Sequence, residues 1–89
     1  MVVTLDGSTM AVPADFYDQF FAAVRDVMPD YGGRNLDALV DDLRELSDPL
    51  EVVWGAADQA RLRLGEWMDR CIAALTNDGT SSMVTVRLA

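Results

Sequence analysis

With 89 residues, 51% of them hydrophobic, the chain has the length for one domain around one modest core and none to spare for a second. Fifteen acidic residues against seven basic ones, all arginine, give a net charge of −8, which repels nucleic-acid phosphates and anionic membranes and favours a basic partner. Histidine is absent, so Ser-His-Asp and Cys-His sites, the usual zinc sites and a side chain that titrates by default near neutral pH are excluded.

Val2 to Leu5 is a short, apolar, β-favouring run closed by Asp6-Gly7, which predicts a strand and a turn. The period then changes. Pro13 suits a first helical turn, and Phe16, Phe20, Ala23, Val24 and Val27 recur at spacings of three and four, predicting a helix over about residues 13 to 28 with Pro29 at its end. Its aromatic residues belong to the core, and Tyr17 and Phe21 widen the apolar surface. Gly32-Gly33 supply a bend, and Asn35 is a helix N-cap whose side-chain oxygen can accept from first-turn N–H groups. A helix from Leu36 to Leu46 follows, with Leu36, Leu39, Val40, Leu43 and Leu46 as one apolar stripe and Asp37, Asp41 and Glu45 stacked at i, i+4 and i+8 on the other side.

Ser47-Asp48-Pro49 makes a turn, and Leu50 to Trp54 is a second strand that Gly55 ends. Residues 56 to 63 have helical composition, and Gly65 separates them from a last helix carrying Trp67, Cys71, Ile72 and Leu75, which stops at Asn77-Asp78-Gly79. Met83 to Leu88 alternates, with Val84, Val86 and Leu88 on one face and Met83, Thr85 and Arg87 on the other, as in a strand covered on one side. Strands separated by helical segments imply crossovers between parallel strands. The expectation is a small α/β domain spanning residues 1–89, with a three-stranded parallel sheet packed by about four helices. The first crossover contains the acidic helix and its glycine turn, which makes Tyr31 to Leu46 the candidate functional surface.

Asp37 falls at the second helical position, where the helix dipole favours a negative charge. Asp41 and Glu45 have no such support: each like-charge pair at i, i+4 costs roughly 0.2 to 0.5 kcal/mol. Glu45 also lies toward the negative end of the dipole, with Arg44 beside it to relieve the charge. Two readings stand, the ordinary solvated face of an amphipathic helix and a surface for a cationic partner. A hydrolase built on Asp37 and Asp41 is a weaker third, because a catalytic acid needs a raised pKa and these positions fall on the polar side. Asp42 points about 100° away from Asp41, which argues against a shared metal. Gly32-Gly33-Arg34-Asn35 has neither the spacing of a Rossmann fingerprint nor that of a P-loop. No metal or cofactor is expected.

Cys71 lies one turn from Trp67 and Leu75, which predicts burial rather than reactivity. The single cysteine, the lack of a basic-then-apolar leader and the lack of a long apolar run predict a cytoplasmic, unexported chain.

The segment Tyr31-Gly-Gly-Arg-Asn-Leu-Asp-Ala-Leu-Val-Asp-Asp-Leu43 resembles the signature of the barstar family, intracellular inhibitors of secreted bacterial ribonucleases. The chain length, the opening strand with its Leu-Asp-Gly turn, the Pro-Leu-Glu-Val-Val-Trp strand and the closing Thr-Val-Arg-Leu strand occur in the order that the family has. The resemblance implies a 1:1 complex in which the acidic helix mimics nucleic acid and plugs a ribonuclease active site. It implies that Asp41 takes the enzyme's phosphate-binding site, that Asp37 meets a basic residue at the rim, and that Tyr31, Gly33, Asn35 and Leu36 cover the active-site mouth. Arg44, Glu45 and Leu46 complete the candidate contact set. The family prototype has aromatic residues where this chain has Val40 and Leu46, and a glycine at the position of Glu45. These departures suggest a different target, in a guanyl-preferring microbial group. The prototype's last-helix glutamate falls near Ala74 here, so no contact is carried over from that helix, and Asp78 is left open as a replacement. A barstar-like module for another basic protein or toxin is the alternative.

Overall fold

The alternation Val2-Val3-Thr4-Leu5-Asp6 suits a strand with one dry face, and in the computed structural model β1 (Val2–Asp6) buries Val3 and Leu5 while its other three residues face solvent. The structure describes residues 1–25, 34–46, 48–76 and 83–89. β2 (Leu50–Gly55) and β3 (Val84–Leu88) join β1 in one parallel sheet of order β1-β2-β3. The register places Val3, Val52 and Val86 side by side, then Leu5, Trp54 and Leu88. Leu50, Val52, Trp54 and Val84 extend the dry face, whereas Thr4, Thr85 and Arg87 are exposed on the other. Only one side of the sheet is sealed, and the dry face fades along β3, where Leu88 is 46% exposed. On the open face Arg87 Nε lies 3.9 Å from Glu51 Oε1.

Helix α1 (Pro13–Val24) begins with proline in its first turn, and the Asp15 carboxylate reaches back to accept from the N–H groups of Ala11 at 2.8 Å and Val12 at 3.1 Å. These two bonds hold the Asp15 carboxyl below its ordinary range. Phe16, Tyr17, Phe20 and Val24 turn inward. The Phe16 ring centroid is 5.3 Å from that of Trp54, 5.4 Å from Phe20 and 5.6 Å from Trp67, so one residue ties α1 to the central strand and to the last helix. The sequence predicts this helix to residue 28; it is assigned to Val24, and residues 26–28 lie outside the described residues.

The predicted Asp6-Gly7 turn is a short 3-10 segment, Gly7–Thr9, in which the Asp6 carboxylate accepts from the Ser8 N–H at 3.0 Å and the Ser8 hydroxyl at 2.6 Å. Helix α3 (Ala57–Leu64) leaves β2 through Ala56, whose φ of 50° is left-handed. Gly65, at φ 60°, separates α3 from α4 (Glu66–Thr76), as its position in the sequence predicts. Helix α4 buries Met68, Cys71, Ala74 and Leu75 and packs against β3 and α3. Burial pushes the Cys71 thiol well above its ordinary range, which leaves it an inert core residue.

Gly7 is fully enclosed at the point where β1 and β2 end together. A Cβ there would lie 2.5 Å from the Ala56 carbonyl oxygen and 2.7 Å from that of Gly55, both backbone atoms that cannot rotate aside. Gly7→Ala is therefore expected to lower stability by about 3 kcal/mol, read as an earlier urea midpoint at unchanged slope. A loss of under about 1 kcal/mol would mean that the two strand ends separate easily.

Candidate functional site: the acidic face of the second helix

Asn35 is extended, at φ −149° and ψ 164°, and its side-chain oxygen accepts from the Ala38 N–H at 2.8 Å, as its residue type predicts. Helix α2 (Leu36–Leu43) starts on the next residue. Leu39 and Leu43 are fully buried, the helix packs against α4, and Leu36 and Leu46 lie partly buried against the same core. This fixes the rotation of α2, and Asp37 and Asp41 are left exposed on its outer side.

The predicted helix to Leu46 is shorter in the structure. It ends at Leu43, after which the Glu45 N–H donates to the Asp42 carbonyl at 3.1 Å and the Leu46 N–H to the Leu43 carbonyl at 3.2 Å. These i→i−3 bonds tighten the chain as it turns toward β2. Glu45 is exposed but sits in this terminal turn, off the straight line that i+8 spacing would give it.

Arg44 brings its Nη1 to 3.3 Å from Asp41 Oδ1. Both side chains are more than half exposed, so the pair contributes little and can open at low cost. Asp42 is different. Its Oδ2 is sealed from solvent with no hydrogen-bond partner among the described residues, and burial, followed by the neighbouring charges of Asp41 and Glu45, raises its pKa.

Arg34 is the feature that sequence reading missed. Its Nη1 lies 2.6 Å from Asp18 Oδ1 of α1, and its guanidinium carbon 5.8 Å from the centre of the Phe21 ring. A positive charge next to a helix N-terminus is disfavoured by the dipole; that was the one available hint that Arg34 needs an acidic neighbour. Tyr31 and Gly33, the two remaining candidates, lie outside the described residues. Among those candidates that are described, Asn35, Leu36 and Leu46 have evident structural work, while Asp37, Asp41, Arg44 and Glu45 project charge outward. Among the described residues, no group of three or more acidic or cysteine side chains is placed to hold a metal, and no helix is long and apolar enough to cross a membrane.

Helix α2 is thus anchored by its apolar side and turns Asp37 and Asp41 to solvent, on a parallel sheet sealed on one face. The family model described as Barstar (barnase inhibitor) matches residues 1–83, and the chain belongs to this family. It is a family of inhibitors rather than catalysts. No curated protein matches the chain.

The state of Asp42 gives a pH-dependent expectation. Its folded pKa is raised above the ordinary value of 3.8, so its charge costs stability at neutral pH, and the cost fades as pH falls through the folded pKa. Asp42→Asn should therefore raise stability at pH 7, with the gain shrinking toward zero in acid. Urea melts of both proteins along a pH series check this. A destabilised variant at neutral pH would mean that the Asp42 carboxylate has a favourable role in the fold.

Proposed function

We propose that the protein inhibits a secreted, guanyl-preferring microbial ribonuclease, forming a 1:1 complex in which α2 and the turn before it occupy the enzyme's cationic active site. The observation that carries this reading is the pair of exposed acids, Asp37 and Asp41, on a helix whose other side is locked by Leu39 and Leu43, in a chain of the barnase-inhibitor family.

The physical logic starts from the partner. A ribonuclease must bind a polyanion, so its active site is cationic, and an inhibitor of net charge −8 is attracted before contact. Barnase and its inhibitor are themselves the standard illustration of such steering. Asp41 takes the central position, in the place of a substrate phosphate, and Asp37 meets a basic residue at the rim. Arg44 has to release Asp41 on binding, which their exposure makes cheap. Tyr31, Gly33, Asn35 and Leu36 close over the mouth of the site, and Leu46 borders the contact. Glu45 adds a carboxylate that the family prototype lacks, and with Val40 it shifts the preferred enzyme. In this role the protein acts in the producing cell's cytoplasm, where it meets neither nucleic acid nor membrane as a partner, and residues 1–89 work as one domain.

A titration against a panel of microbial ribonucleases tests the proposal. At least one enzyme should be inhibited stoichiometrically, with binding that weakens as salt is added. Asp41→Ala should cost at least about 2 kcal/mol, or about thirtyfold in Kd, while leaving the fold intact; the barnase complex is among the cases behind that generalisation. If the folded protein binds none of the panel at micromolar concentration, the ribonuclease reading fails, and capture of another basic protein would redirect it.

A further inference from the structure

We infer that Asp18 and Phe21 of α1 form a clamp on Arg34 that anchors the start of α2 and masks a positive charge that would otherwise oppose a cationic partner. The inference rests on the inhibitor reading and concerns residues that the acidic motif itself does not explain.

Arg34 stands immediately before the N-cap Asn35 and three residues before Asp37, at the N-terminal end of the acidic face. A guanidinium left free there would repel a basic enzyme at the rim of the contact and could fold onto Asp37 to cancel its charge. Asp18 prevents both. Its Oδ1 lies 2.6 Å from the Arg34 Nη1, and the Phe21 ring, one turn along α1 from Asp18, lies 5.8 Å from the guanidinium carbon. The two α1 side chains thus approach the same guanidinium from one helix face.

Helix α2 packs against α4, and the Arg34 contact attaches the residue before its N-cap to a different helix, α1. It joins residues 16 positions apart, and both side chains are more than half exposed, at 55% and 58%. An exposed pair of this kind adds little to global stability. Its value lies in local order beside Asn35 and in the placement of charge. Asp18 is a positioning residue here: it acts on the partner through Arg34.

A double-mutant cycle separates this from direct contact by Asp18. The variants are Asp18→Asn, Arg34→Gln and the two together, measured against a ribonuclease that the wild-type protein inhibits. Asp18→Asn should slow association about threefold at low ionic strength, an effect that shrinks with salt. Arg34→Gln should associate within about twofold of wild type, and Asp18→Asn added to it should slow association no further. If the double variant stays as slow as Asp18→Asn, Asp18 touches the enzyme itself and the mask is refuted. A second measurement needs no ribonuclease. Amide exchange at Ala38, whose N–H is capped by Asn35, should quicken severalfold in Asp18→Asn while exchange at Val52 in the central strand stays unchanged. Unchanged exchange at Ala38 would overturn the anchor. Should no ribonuclease be inhibited by the wild-type protein, the functional reading fails separately, and the exchange result still decides whether the clamp orders α2.

Discussion

The burial of Leu39 and Leu43 against the core governs the display of every acid on α2, because a helix can be rotated only as far as its apolar side allows. With both leucines at 0% exposure, Asp37 and Asp41 have no direction but outward. The neighbour that receives α2 is α4, which is itself seated on β3 and α3. Folding and the presentation of charge are therefore one event, and the acidic face depends on the core residues beneath it.

That core is sealed from one side of the sheet. Phe16, stacked on Trp54 and edge-on to Trp67, concentrates apolar contact where α1, β2 and α4 converge. The arrangement has local imperfections. Among the described residues, the Trp54 indole N–H is buried without a hydrogen-bond partner, and so is the Asp42 Oδ2. The first is the cost of filling the central strand with the largest apolar side chain. The second lies among like charges, where a less acidic helix would be more stable.

Much of this was legible in the sequence because it is local. Asn35 and Leu36 mark a helix start through cap chemistry; Pro13, Gly65 and the Asp6-Gly7 pair mark boundaries by backbone geometry; the alternation in β3 gives its covered face. The central motif was specific enough to suggest the family that the residue 1–83 match then established. What was not legible depends on distance or on competing directions. The helix end moved from Leu46 to Leu43 because the return toward β2 tightens the last turn, a constraint set outside the helix. Asp42 lies between the apolar and polar sides of α2, where periodicity alone does not decide burial. The Asp18–Arg34 contact joins two helical neighbourhoods with no shared period. Tyr31 and Gly33, named from the motif, fall outside the described residues.

The central claim is that the acid-bearing side of α2 is the surface that meets a cationic ribonuclease. Amide resonances of the isotope-labelled protein, followed while an inhibited ribonuclease is added to equivalence, test it most directly. The account predicts the largest changes and the strongest exchange protection across residues 34–46, centred on Asp41, with Thr4, Thr85 and Arg87 on the open sheet face unmoved. Changes concentrated on that open face, with Asp37 and Asp41 undisturbed, would contradict it.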